Sequence, residues 1–124
     1  MKDFRRLKVW EKAHLLILDV YKMTACFPRE ELYGLTSQLR RSAASMGANI
    51  AEGCGKEGNR ELYRFLKIAS GSASELDYNL LLAKDLNYLA EGNYEKIGKQ
   101  LLEVRKMLTA LLQKVGSDRF VANC

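Results

Sequence analysis

Only one proline, Pro28, interrupts this chain of 124 residues, and on both sides of it apolar side chains recur at the three-and-four spacing of an α-helix. Because the residue before a proline is pushed out of the helical conformation, Phe27-Pro28 is predicted to end the first helix. Gly53 is predicted to cap the second helix in a left-handed conformation, and Gly116 to close the fourth. Helices are therefore predicted over residues 7–25, 35–53, 59–89 and 93–115, followed by a tail at 116–124.

No segment shows the alternation of β-branched and polar residues that is typical of a strand. Four helices joined by short connections favour an all-α, antiparallel four-helix bundle with up-down-up-down topology, formed as a single domain over residues 1–124. A hydrophobic content of 48% with 28% charged residues excludes an intrinsically disordered chain.

The sequence also predicts where the protein is found. Its longest strictly apolar run is residues 15–18, far below the roughly 20 residues that a membrane span needs. The first residues lack the apolar stretch of a signal peptide. Cys26, Cys54 and Cys124 lie in different segments without CxxC spacing, so we expect reduced thiols. A cytoplasmic protein that does not contact a membrane is expected.

Two segments carry almost only small, uncharged side chains. Residues 42–51 contain no charge, and residues 69–74 of the third predicted helix repeat the composition. A helix of an isolated bundle normally keeps one polar face toward water, whereas these small residues extend around the whole helix. We therefore expect the second and third helices to pack on a second side against another copy of the chain. The alternative is that the small residues pack only within one chain.

Polar residues recur beside those small residues. One polar stripe runs along the second helix and consists of Gln38, Arg41, Ser45, Asn49 and Glu52. On the third helix, Glu75 lies in line with apolar positions. A charge placed among apolar side chains needs a partner. The hypothesis is that Arg40 or Arg41 pairs with Glu52 or Glu75, across helices or across subunits.

The chain carries 20 basic and 15 acidic side chains, for a formal net charge of +5. Near its start the basic residues Lys2, Arg5, Arg6 and Lys8 cluster around a single acid. They form either an arm that contacts phosphates or an arm that is simply solvated. Before the third helix, Lys56 and Arg60 flank free helix amides that could hold an anion. Plain helix termination is the favoured explanation of the glycines there.

Motifs that carry reaction chemistry are missing from the sequence. His14 is the only histidine, so no histidine-based metal site is predicted. The glycine-rich segment at residues 53–58 follows a helix and lacks the Ser/Thr of a phosphate-binding loop. No catalytic residue, metal, cofactor or small-molecule ligand is expected, and no helix-turn-helix or zinc motif for nucleic acid is found.

A series of short motifs resembles the bacterial four-helix-bundle protein family, also called the 23S rRNA intervening-sequence proteins. The motifs are LKVWEKA at residues 7–13, FP at 27–28, YGL at 33–35, QLRRSA at 38–43, NIAEG at 49–53, FL at 65–66, GS at 71–72 and EL at 75–76. Two departures are Gly47, where that family often has proline, and Lys56, where arginine is common.

The resemblance implies a small cytosolic bacterial protein that forms ring-like homopentamers. It also implies similarity to the accessory protein of diversity-generating retroelements, a basic pentamer that engages nucleic acid. We therefore predict a non-enzymatic, homo-oligomeric module, pentameric by resemblance, with RNA as its ligand. The alternatives are a protein-interaction adaptor whose positive charge is incidental and, less favoured, an enzyme with an anion site before the third helix.

Overall fold

Four α-helices account for most of the chain in the computed structural model, which describes the backbone of residues 3–122 and the side chains of residues 3–116. They are α1 (Lys8–Thr24), α2 (Leu35–Gly55), α3 (Asn59–Asp85) and α4 (Glu91–Ala122). Short 3₁₀ turns lie at Phe4–Arg6 and Arg29–Glu31. The prediction of an all-α helical bundle is confirmed, since the described backbone contains no strand.

Consecutive helices pack in opposite directions, which follows from the order of the residue pairs that meet. On α2 and α3, the Ser45 and Ser72 hydroxyls lie 2.9 Å apart, whereas Gly53, further along α2, lies against Leu62 near the start of α3. The pairs that join the other helices are Arg40 with Thr24, Gly47 with Ile17, Arg105 with Asp77, Gly116 with Tyr63, Lys12 with Glu103 and Gln100 with Asp19.

The core lies between the four helices, and each helix contributes one apolar stripe to it. Leu16 of α1, Ile50 of α2, Leu66 of α3 and Leu108 of α4 are at most 1% exposed. Ala13, Ala43, Ala69 and Ala73 are fully buried between these larger side chains. The small residues let the helices approach closely, which accounts for part of the small-residue content of α2 and α3.

The end of α3 differs from the predicted one, because the helix ends at Asp85 rather than at residue 89. Asn87 adopts a left-handed conformation with φ of 65°. The Tyr88 amide then donates to the Ala83 carbonyl at 2.9 Å, as in a Schellman motif. Asparagine tolerates this conformation better than most residues, so it ends the helix where no glycine is present.

The predicted roles of two glycines are wrong. Gly53 does not cap α2, which continues to Gly55, and the left-handed glycine of this turn is Gly58, with φ of 81°. Gly116 does not close α4, because the helix continues to Ala122. A Cβ atom at Gly116 would lie 3.0 Å from the Tyr63 ring, so this glycine allows α3 and α4 to pack closely.

Gly53 plays the same packing role between α2 and α3. A Cβ atom there would lie 3.0 Å from the Phe65 Cβ and 3.1 Å from the Leu62 Cδ1. We expect Gly53→Val to lower the free energy of unfolding by about 1–3 kcal/mol, because it overpacks this contact. Gly55, which has no neighbour within 4 Å of such a Cβ, supplies the control, and Gly55→Ala should change stability by less than about 1 kcal/mol. Urea denaturation measures both, and equal effects would contradict the packing role.

No described helix combines the length and the apolar character needed to cross a membrane.

Candidate nucleic-acid interface

One end of the bundle gathers segments that are far apart in the sequence. This end contains the start of α1 with its preceding turn, the end of α2, the start of α3 and the last described side chains of α4. Gly53 of α2 lies against Leu62 of α3, and Gly116 of α4 lies against Tyr63 of α3, which brings these three helix segments together. Phe4 and Ala51 line the same groove, which places the N-terminal turn beside the end of α2. We call residues 3–12, 52–67 and 106–116 the basic end.

The basic end holds most of the positive charge. It contains 10 basic and 5 acidic residues, whereas the remaining residues with described side chains comprise 8 basic and 9 acidic ones. The excess charge of the chain, evenly distributed along the sequence, is therefore concentrated at one end of the structure. Anions approaching the protein are attracted to this end.

The predicted phosphate-binding residues Arg5, Arg6, Lys8, Lys56 and Arg60 all lie at the basic end, while Lys2 lies outside the described residues. Arg5 donates to the Asp3 carboxylate at 3.3 Å, which offsets part of its charge. Arg6, Lys8, Lys56 and Arg60 are exposed, and within the described part of the chain none forms an ion pair.

The basic end also holds cations that no local sequence pattern indicates. They are Arg64 and Lys67 on α3, and Lys106 and Lys114 on α4. Their position relative to the end of α2 depends on the register in which α3 and α4 pack against the bundle. Arg64 pairs with Glu61 at 3.2 Å, while the other three are exposed and form no ion pair with described residues. A shallow cleft of about 640 Å³ on α3 is lined by Arg60, Glu61, Tyr63, Arg64, Lys67 and Ile68.

Aromatic side chains adjoin the basic residues. The Trp10 indole and the His14 imidazole are stacked, with ring centroids 4.8 Å apart and planes inclined by 10°. The Phe4 ring meets the indole edge-on at 4.8 Å, and the Arg5 guanidinium lies 4.5 Å above the Phe4 ring. His14 thus belongs to an aromatic cluster at the surface, and the described residues contain no group of His, Cys, Asp and Glu that could hold a metal.

The small residues of α2 occupy two kinds of position. Ser42, Ala43, Gly47 and Gly53 are buried within the chain, and a Cβ atom at Gly47 would lie 2.6 Å from the Ile17 Cδ1. Ala48 remains exposed, and Ala44 and Ala51 are half-buried. Packing inside one chain thus explains part of the small-residue stretch, and contact with a second copy stays a prediction for the rest.

The hypothesised ion pairs do not form within one chain. Arg40 instead reaches α1, where its Nε donates to the Thr24 hydroxyl at 2.9 Å and its guanidinium lies 5.0 Å above the Tyr21 ring. Asn49 donates to the Ser45 carbonyl at 2.8 Å within its own helix. Among the described residues, no ion pair joins Arg40 or Arg41 to a glutamate.

The remaining members of the polar stripe face the surface. Gln38, Arg41, Glu52 and Glu75 are exposed. Because Ser45 meets Ser72 in antiparallel helices, Arg41, one turn before Ser45, lies level with Glu75, about one turn after Ser72. Both charges thus project from adjacent helices at the same height, and a pairing across subunits stays a prediction.

The opposite end of the bundle has a different character. Glu31 accepts from the Leu35 amide at 3.0 Å at the start of α2 and from the Tyr88 hydroxyl at 3.0 Å. Donation to this carboxylate raises the pKa of Tyr88 above its usual value of 10.0, because the neutral phenol keeps the hydrogen bond. The Glu31 carboxylate therefore links the connection between α1 and α2 to the connection between α3 and α4 through hydrogen bonds.

Comparison with known proteins identifies the family. The family model described as 23S rRNA-intervening sequence protein matches residues 5–110, which span α1, α2, α3 and much of α4. The chain belongs to the 23S rRNA-intervening sequence protein family. The matched range contains Arg5, Arg6, Lys8, Lys56 and Arg60.

A solved structure supports the same assignment. It is a protein with unknown function from the S23 ribosomal protein family, from Bacteroides thetaiotaomicron, and is 26% identical to this chain. The similarity covers 84% of this chain and 97% of that one, with a TM-score of 0.76. No curated protein matches the chain.

Proposed function

We propose that this protein is a non-enzymatic, cytoplasmic RNA-binding module whose basic end contacts the phosphates of RNA. The observation that carries the proposal is the convergence of Arg6, Lys8, Lys56 and Arg60, from separate segments, at one end of the bundle. These side chains have no competing carboxylate within ion-pair distance among the described residues, so their charge is available to an anionic ligand.

RNA is favoured over a small anion because the cations are spread over the three segments of the basic end, residues 3–12, 52–67 and 106–116. A polyanion gains affinity from each cation that displaces a condensed counterion, and this gain needs charge but no shaped pocket. Membership of a family named for an intervening sequence of 23S rRNA is consistent with an RNA ligand.

We also propose that the protein acts as a homo-oligomer, a pentamer by resemblance to its family. Large apolar side chains are exposed on α3 and directly after it, with Ile68 43%, Tyr78 61% and Leu86 46% accessible. Charged residues of the α2 and α3 surface, Arg41 and Glu75, lack partners within the described chain. Self-association would multiply the charge of +5 per chain and strengthen RNA binding.

Binding to a short single-stranded RNA across a salt series tests the RNA proposal. Four or five phosphate contacts predict a slope of about −3 in a plot of log affinity against log salt concentration, a loss of about 60-fold between 50 and 200 mM salt. Fluorescence anisotropy of a labelled RNA measures this. Absence of binding at 50 mM salt would contradict the proposal and favour the alternative, a protein-interaction adaptor.

A further inference from the structure

Between α1 and α2, next to the basic end, lies an open groove of about 300 Å³. Phe4, Trp10, His14 and Ile17 form one wall. Trp10 and His14 present two nearly parallel rings, with His14 exposed at the outside of the stack. A pair of parallel rings at the surface is a platform on which a further flat ring can stack.

The other wall of the groove is made of small side chains. Ala44, Gly47, Ala48 and Ala51 lie along α2 opposite the aromatic rings. Larger residues at these positions would fill the space beside the indole, whereas methyl groups leave it open. The small residues of α2, which allow the helices to pack closely, therefore also keep this apolar groove open to solvent.

Positive charge adjoins this groove. Arg5 lies 4.5 Å above the ring of Phe4, one of the groove residues, and Arg6 follows it in the chain. Lys56 comes directly after Gly55, the last residue of α2, which lies one helical turn beyond the groove residue Ala51. Its ammonium group lies 5.5 Å from the centre of the Phe65 ring of α3, beside the end of α2. An occupant of the groove is thus placed beside cations.

We propose that this groove holds an unpaired nucleobase of single-stranded RNA, stacked on the Trp10 and His14 rings, while Arg5, Arg6 and Lys56 contact the neighbouring phosphates. The inference rests on the proposed RNA-binding function and deepens it by naming the form of RNA. Bases in a duplex are already stacked and paired, so only a single strand, loop or bulge supplies a free base.

Charge complementarity selects this occupant over a second copy of the chain. A nucleotide offers a flat aromatic ring and a negative charge together, which match the paired rings and the adjacent cations. An apolar segment of another copy matches the rings alone and supplies no anion to Arg6 and Lys56, which form no ion pair with described residues. The second copy is therefore an outcome that the experiment must detect.

Trp10 is the only tryptophan of the chain, so intrinsic fluorescence reports directly on the groove. Titration of the full-length protein with an unlabelled ten-nucleotide single-stranded RNA is expected to quench this fluorescence, with saturation at the concentration where anisotropy shows binding. The same sequence as a duplex should bind through its phosphates and leave the indole emission unchanged.

Variants separate stacking from electrostatics. Ala48→Leu fills the groove without changing the charge, and we expect about tenfold weaker single-strand binding with an unchanged salt slope. Ala110→Leu, at an exposed position of α4, is the matched control and should bind as the parent does. His14→Ala should weaken binding similarly, whereas His14→Phe, which retains a flat ring, should restore it.

The outcomes distinguish the two proposals. Steep salt dependence with unquenched tryptophan and an unaffected Ala48→Leu variant would overturn the base-stacking inference alone. Lack of salt-dependent binding to either RNA would overturn the proposed function and the inference with it. A fall in the oligomer mass of Ala48→Leu by light scattering would assign the groove to a contact between copies and also overturn the inference.

Discussion

Replacing Arg6, Lys56 and Arg60 together with glutamate is expected to weaken single-stranded RNA binding by about 100-fold at 50 mM salt. The three substitutions remove phosphate contacts and add repulsion at the basic end. The slope of log affinity against log salt should become less steep by about 2, since each lost contact removes about 0.7. Anisotropy titrations of parent and variant at several salt concentrations measure both quantities.

The control changes the net charge equally at other places. Lys22, Lys96 and Lys99 are exposed, lie outside the basic end and form no ion pair with described residues, so their triple replacement by glutamate reverses the same number of charges. We expect this variant to lose less than about tenfold, through long-range attraction only. Equal losses in the two triple variants would show that net charge alone controls binding, and that the basic end is not the interface.

Reversal of a single charge, Arg41→Glu, is expected to convert the oligomer into monomers. Arg41 and Glu75 lie level on adjacent helices, exposed and without an ion pair in the described chain, and we expect them to find partners across the subunit contact. In the variant, two negative charges would face each other in a buried contact. This makes the free energy of association less favourable by about 3 kcal/mol or more per interface. Light scattering at micromolar concentration measures the mass.

Two further variants make this result specific. Arg29→Glu, at an exposed position before α2, should leave the mass unchanged. Adding Glu75→Arg to Arg41→Glu restores opposite charges and should recover the oligomer if the two residues pair. A parent protein that is monomeric at micromolar concentration would contradict self-association itself, and an Arg41→Glu variant that assembles and melts like the parent would contradict the pairing.

Helix positions follow closely from periodicity, because burying an apolar stripe dictates the spacing of large side chains. Leu35 and Asn59 begin α2 and α3 at the predicted residues. Helix ends follow less closely, because glycine serves both as a helix terminator and as a site of close packing. Gly116 lies against Tyr63 from another helix, and nothing local in the sequence distinguishes that role from a cap. Asn87 ends α3 instead of a glycine.

The candidate site was predictable only in part, for a related reason. Arg5, Arg6 and Lys8 are neighbours in the sequence, so a local search finds them. Their proximity to Lys56 and Arg60 depends on the antiparallel packing of α1 against α2. An antiparallel bundle predicts that the start of α1 lies near the end of α2, but not which residues meet. Lys106 and Lys114 join them only through the register of α4, which depends on contacts such as that between Gly116 and Tyr63.

The aromatic groove could not be predicted from residue types alone. Trp10 and His14 are four residues apart, so a helix places them on one face, but this spacing equally suits a buried pair. Exposure of His14 depends on Ala48 and its small neighbours on another helix. A surface groove requires two helices to pack side by side, whereas a sequence pattern describes one helix at a time.

The uneven distribution of charge between the two ends gives each bundle an electric dipole along its length. In a ring with rotational symmetry, the dipole components along the axis add from copy to copy, whereas the components across the axis cancel. Bundles inclined toward the axis would therefore produce an assembly with one strongly electropositive face and one nearly neutral face. Such a ring has two unequal sides, and a polyanion would be captured from one direction only.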